Sequence, residues 1–199
     1  MLHPASLVDS GSHSRELMDL INLKLSKHMI GYIVQCVGDA VEYAIQQPLP
    51  LKSRRMTNFE ALVSRVLHSA EVEIATVLVT VAYVTRAKEH LQITLEHWAL
   101  ERLFLGALVV ASKYLNDSTM KNVHWALCTG IFKTPDIGVM EREFLEVLDF
   151  ELGVKEHHIL FHHGSIMGRL LVDAGWCGQG NKRSGEDINQ CPPKRSKMT

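Results

Sequence analysis

Four histidines crowd one short stretch late in the chain: His157, His158, His162 and His163. Side chains four apart share one side of a helix, so His158 and His162 have a spacing that a zinc site can use. The pattern stops at two ligands. No HExxH is present, no glutamate lies between the pair, and no cysteine or aspartate stands close enough in sequence to complete the set. Neither a metal nor another cofactor is expected. Catalytic patterns are missing as well: the sequence holds no GxGxxG, no GxxxxGKS or GxxxxGKT, and no GxSxG. Glu71 and Glu73 form an acidic pair near a helix start, where they complement the helix dipole. These residues describe a binding module rather than an enzyme, and no catalytic residue is assigned.

Three other charges stand out because of their surroundings. Leu103 to Ala111 is an unbroken apolar run. A helix that is apolar all round belongs in the middle of a bundle. The run is far shorter than the roughly 20 residues that cross a bilayer, so no membrane contact is expected. At 100° per residue, Arg102, Gly106, Val109 and Lys113 share one narrow face of this helix. Either both long side chains snorkel to solvent at its ends, or the face meets something outside the domain. Glu141 is odd in the same way, falling within one arc with Ile137, Leu145, Leu148 and Leu152. A carboxylate there must reach water, be protonated, or find a cationic or amide partner. Arg142, Glu146 and Asp149 lie on the opposite, solvated face.

The elements that position these residues follow from periodicity and caps. A loose arm, 1–13, precedes a helix starting near Ser14, with Leu17, Leu20, Ile21 and Leu25 on one side. Ser26 caps a second helix bearing Ile30, Ile33, Val34, Val37, Val41 and Ile45, which Pro48 and Pro50 stop. Leu51 to Met56 reads as a basic linker with Lys52, Arg54 and Arg55, a solvated loop or a phosphate contact. Thr57 or Asn58 caps the next helix, whose apolar face is Phe59, Leu62, Val63, Val66, Leu67 and Ala70. The span from Val72 to Gln92 is rich in β-branched residues, yet it is too long for a strand and is read as a buried helix.

The central helix is expected over Glu96 to Asp117. Asp117 or Ser118 then caps a helix over Thr119–Thr129, with Met120, Val123 and Leu127 inward and Gly130 as its stop. Thr134-Pro135-Asp136 starts another, running to Leu152 and stopping at Gly153. One more amphipathic helix, 155–172, precedes a flexible tail, 173–199, with a short basic end at Lys194, Arg195 and Lys197.

Composition sets the bounds. The chain has 199 residues, 46% hydrophobic, with 21 basic and 22 acidic side chains. Charge so balanced argues against a dedicated nucleic-acid binder, which carries a basic excess. Cys36, Cys128, Cys177 and Cys191 are scattered without a CxxC pair, and no secretory signal stands at the N-terminus. A reducing compartment is expected, the nucleus or the cytoplasm or both.

Three segments together carry a resemblance: ASKYLND (Ala111–Asp117), NVHWA (Asn122–Ala126) and MEREFLEVLDFEL (Met140–Leu152). In this order, after a central apolar helix, they resemble the cyclin box, most of all that of the P/U-type cyclins, the phosphate-regulon cyclins of fungi and their plant and protist relatives. The likeness runs from about Thr57 to Gly153. It implies an all-α fold: a single five-helix box over 57–153, with N-terminal helices over 14–50 and a C-terminal helix and tail after it. It implies a regulatory subunit that binds and activates a cyclin-dependent protein kinase, as a heterodimer, by stabilising the active arrangement of the kinase αC helix. The alternative is a cyclin-box-like helical adaptor or transcription-associated factor without kinase activation.

Residue by residue, Lys113 and Glu141 match the lysine and glutamate by which cyclins reach their kinase. Tyr114, Phe144, Leu148 and Phe150 match hydrophobic positions that pack the box or border the kinase. Arg102, Asp117 and Trp125 match structural positions of the box. Two departures are visible. Val66 stands where the substrate-docking helix of cell-cycle cyclins carries a tryptophan. Gly138-Val139 precedes the Met140-Glu141 pair where an asparagine or acid is common.

Overall fold

A computed structural model describes residues 13–49, 53–93 and 97–173. These residues form helices and connections, with no strand among them. In chain order the helices are α1 (Arg15–Ile21), α2 (Lys27–Ile45), α3 (Arg54–Ser69), α4 (Ile74–Ala87), α5 (Ala99–Leu115), α6 (Asn122–Thr129), α7 (Thr134–Val147), α8 (Glu156–Leu160) and α9 (His163–Asp173). Among the described residues, no helix is long and apolar enough to cross a membrane. The expected arm falls on residues 1–12, apart from His13, and the tail with its basic end falls on 174–199; both lie outside the described residues, as do Leu51, Lys52 and Glu96.

The apolar run puts α5 at the centre. Leu100, Phe104, Leu105, Ala107, Leu108 and Ala111 are fully buried, and α2, α3, α4 and α7 pack around them. Next to it, α4 is helical despite its β-branched residues, because burial on every side overrides local propensity. Its buried Thr80 hydroxyl is absorbed by the Thr76 carbonyl one turn back, at 2.7 Å. Ser14 and Ser26 cap α1 and α2, as their positions imply.

Several boundaries differ from those read off the sequence. Ser53, not Thr57 or Asn58, caps α3: its hydroxyl accepts the Met56 N–H. Arg54 and Arg55 therefore belong to the first turn of a helix, anchored by buried Met56, rather than to a linker. The central helix begins at Ala99, after Trp98 in a left-handed conformation, and ends at Leu115. Helix α6 starts at Asn122, and its rotation is reversed. Trp125 takes the core, so Val123 and Leu127, about 200° around the helix from it, face solvent.

Helix α7 starts after Lys133, whose N–H donates to the Asp136 carboxylate at 2.9 Å, and stops at Val147 rather than Leu152. Asp149 and Phe150 then turn left-handed, with φ of 50° and 56°. The final helix tightens at Phe161-His162 into two pieces, α8 and α9. The His162 N–H bonds the Ile159 carbonyl three residues back, and its ring turns into the core.

Candidate functional site

The seam between α5 and α7 is set by Gly106. A Cβ placed on it would stand 3.0 Å from the Met140 carbonyl oxygen and 3.0 Å from the Phe144 Cβ. The two backbones touch there because no side chain intervenes. The stripe Arg102, Gly106, Val109, Lys113 thus packs along α7. Val109 is buried, and the charges at the two ends each find a carboxylate on α7.

At one end, Lys113 Nζ donates to both oxygens of Glu141, 2.7 Å to each. Asn122 Nδ2, from the start of α6, donates to Oε2 of the same carboxylate at 3.1 Å. Both partners open to a carboxylate among leucines, a cation and an amide, are present together. The pair stays reachable: the side chains are 32% exposed at Lys113 and 17% at Glu141. Among the described residues the ammonium makes two of the three hydrogen bonds it can donate. At the other end, Arg102 pairs with Glu143 on a more open surface.

Exposed apolar side chains stand near both members of the first pair in the chain. Tyr114 and Leu115 follow Lys113 on α5 and are exposed, as is Val139 on α7. Phe150 is 66% exposed. Tyr83, buried on α4, bridges the two aromatic positions: its ring lies 6.4 Å from that of Tyr114, and its hydroxyl donates to the Leu152 carbonyl, near Phe150, at 2.8 Å. Burial pushes the Tyr83 hydroxyl well above the usual phenol range. A half-buried charge pair with exposed aromatic and aliphatic side chains next to it in the chain has the composition of a protein-binding surface.

Some expected site residues lie elsewhere. Phe144 and Leu148 are buried in the core, Phe144 against Gly106, so neither presents a ring or chain to a docking partner. Among the structural positions, Trp125 fills the core and Asp117 is exposed on the loop after α5. Asn122 and Glu143 escaped the sequence reading. Their only signals were an amide opening a short helix and an acid on the solvent side of α7.

The histidines do not converge. His162 is buried, with Nδ1 2.7 Å from the Tyr32 hydroxyl, and burial pushes its pKa down to about 4. His158 Nδ1 instead accepts the Lys155 N–H at 3.2 Å. No three His, Cys, Asp or Glu side chains among the described residues stand close enough to hold a metal ion.

A second concave surface, about 760 Å³, opens between α3 and the start of α5, lined by Arg54, Arg65, Trp98 and Glu101 among others. Glu101 is buried there, which raises its pKa, and one of its oxygens has no hydrogen-bond partner among the described residues. Val66 is fully buried under this surface and does not line it.

Known proteins are similar to this chain in sequence. The family profile described as "Cyclin, N-terminal domain" matches residues 39–153. PHO85 cyclin-1 of Saccharomyces cerevisiae is 30% identical over 132 residues, 65% of this chain and 47% of the relative. PHO85 cyclin-9 of the same yeast is 25% identical over 133 residues, 65% of this chain and 43% of the relative. PHO85 cyclin-2 is 24% identical over 157 residues, 75% of this chain and 49% of the relative. The chain spans about half the length of the curated relatives it matches.

Proposed function

The chain belongs to the cyclin family, of the P/U type, and from that premise we propose that it binds and activates a cyclin-dependent protein kinase as its regulatory subunit. The observation that carries the proposal is the Lys113–Glu141 pair, partly exposed, with the exposed ring of Tyr114 next to Lys113 in the chain. The name PHO85 cyclin, borne by the relatives, supports a cyclin-dependent kinase as the partner.

The physics is a population shift. A kinase alone favours a displaced αC helix; a subunit that binds the inward arrangement better enriches it. In that arrangement the αC glutamate pairs with the β3 lysine, which positions the nucleotide phosphates. The regulatory subunit contributes no catalytic group. Tyr114, Leu115 and Phe150 supply apolar contact, and the ion pair fixes register. Because Lys113 and Glu141 already hold each other, little side-chain entropy remains to be lost on docking.

The test uses the purified full chain with a cyclin-dependent kinase, reading both association and phosphorylation of a substrate peptide. Association with raised kinase activity is expected. Association without activation would leave the chain a helical adaptor, and no association would overturn the proposal.

A further inference from the structure

Resting on the kinase-regulator reading above, we infer that Arg86, with Tyr83, is a positioning residue that fixes Phe150 on the docking face. Three successive backbone carbonyls after Phe150 are received by these two side chains of α4. Arg86 Nη2 donates to the Glu151 carbonyl at 2.7 Å, Tyr83 Oη to that of Leu152 at 2.8 Å, and Arg86 Nη1 to that of Gly153 at 3.0 Å. The Arg86 guanidinium also lies 3.6 Å from the Glu151 carboxylate and 5.9 Å from the Tyr83 ring centroid.

On the other side of Phe150, backbone bonds close the end of α7. Phe150 N–H donates to the Leu145 carbonyl at 2.9 Å and Asp149 N–H to that of Glu146 at 3.0 Å. The turn is pinned from both directions.

What is pinned is unfavourable by itself. Asp149 and Phe150 are consecutive left-handed residues, and neither is glycine. Aspartate tolerates that conformation; an aromatic residue does so poorly. Such backbone persists where its surroundings over-determine it, and it concentrates at functional sites. Nor does the ring gain from the arrangement within its own chain, since Phe150 is 66% exposed. A strained backbone that delivers an aromatic side chain to solvent is explained by a partner that receives it. Tyr83 lies against Tyr114 as well, so one α4 device ties Phe150 to the aromatic flank of the Lys113–Glu141 pair.

The experiment has two arms. Kinase affinity is measured for the full chain, Arg86→Ala, Phe150→Ala and the double variant, with Arg86→Lys as the conservative replacement. Arg86→Ala is expected to weaken binding about tenfold in the parent and to add almost nothing once Phe150 is alanine, with partial recovery in Arg86→Lys. Equal weakening on both backgrounds, or none on either, overturns the inference.

The second arm needs no kinase. Amide hydrogen exchange at Phe150 and Glu151 is expected to quicken about tenfold in Arg86→Ala while protection in α2 stays unchanged. Unchanged exchange at those amides also overturns the inference. A parent chain that binds no kinase sinks the regulator reading alone, and exchange still decides whether α4 holds the turn.

Discussion

The two ends of the α5–α7 seam are closed by the same kind of ion pair, built to different standards. Lys113 and Glu141 meet through two 2.7 Å hydrogen bonds, with Asn122 as a third member and side chains 32% and 17% exposed. Arg102 and Glu143 meet with side chains 40% and 54% exposed. An open surface pair contributes about 0–1 kcal/mol, because water screens it and two long side chains must be ordered. A partly desolvated pair with an extra amide is more rigid, and its loss leaves a half-buried charge uncompensated. The difference teaches that residue type does not separate a staple from a docking element; burial and second partners do.

The comparison breaks most visibly under charge reversal. Lys113→Glu or Glu141→Lys is expected to weaken kinase binding about 100-fold or more, since like charges then face each other and the partner. Arg102→Glu is expected to change binding by less than about threefold. Titration calorimetry of the three variants checks the contrast, and an equal loss at both ends would erase it.

A pH titration separates the seam from the fold around it. His162 is neutral in the folded protein down to about pH 4, whereas an unfolded histidine takes its proton near 6.5. Its contribution is complete above about pH 6.5 and falls away as pH drops towards 4, a loss of about 3 kcal/mol over that window. Denaturant melts should show this slope, and His162→Gln should flatten it. Binding lost at pH 5 in the parent but kept in His162→Gln would then come from the α9 side of the fold, not from the ion pair.

Gly106→Val attacks the middle of the seam. The added methyls meet backbone at Met140 and the Phe144 side chain, so α7 must shift. A destabilisation of about 1–3 kcal/mol in thermal or denaturant melts is expected. Smaller still is Asn122→Ala, which removes one hydrogen bond to Glu141. About a threefold loss in kinase affinity is expected, with stability down by about 1 kcal/mol.

The sequence made the odd charges visible and left the seam that joins them hidden. Lys113 and Glu141 showed because each is a charge in an apolar arc, a signal that periodicity reads directly. The family resemblance gave them a shared role at the kinase, but their mutual pairing appears only in the structure, since they lie on different helices. Asn122, Glu143 and Arg86 were silent because their partners sit 19, 41 and 65 residues away, beyond any local pattern.

Short elements were the least legible. In α6 one tryptophan outweighs two aliphatic residues in choosing the buried side. The end of α7 is fixed by backbone bonds and by side chains of α4, not by Gly153. The break between α8 and α9 accompanies the hydrogen bond of His162 with Tyr32, 130 residues away. Longer helices, α2 to α5, came through because many apolar positions repeat the same message.

The most direct measurement is the kinase affinity of the charge-swapped double variant, Lys113→Glu with Glu141→Lys, read beside its melting temperature. Swapping the charges restores attraction within the chain while inverting what a partner meets. Stability close to the parent with affinity still down about 100-fold is the expected result. Recovery of affinity together with stability would contradict the account, because the pair would then serve only the fold.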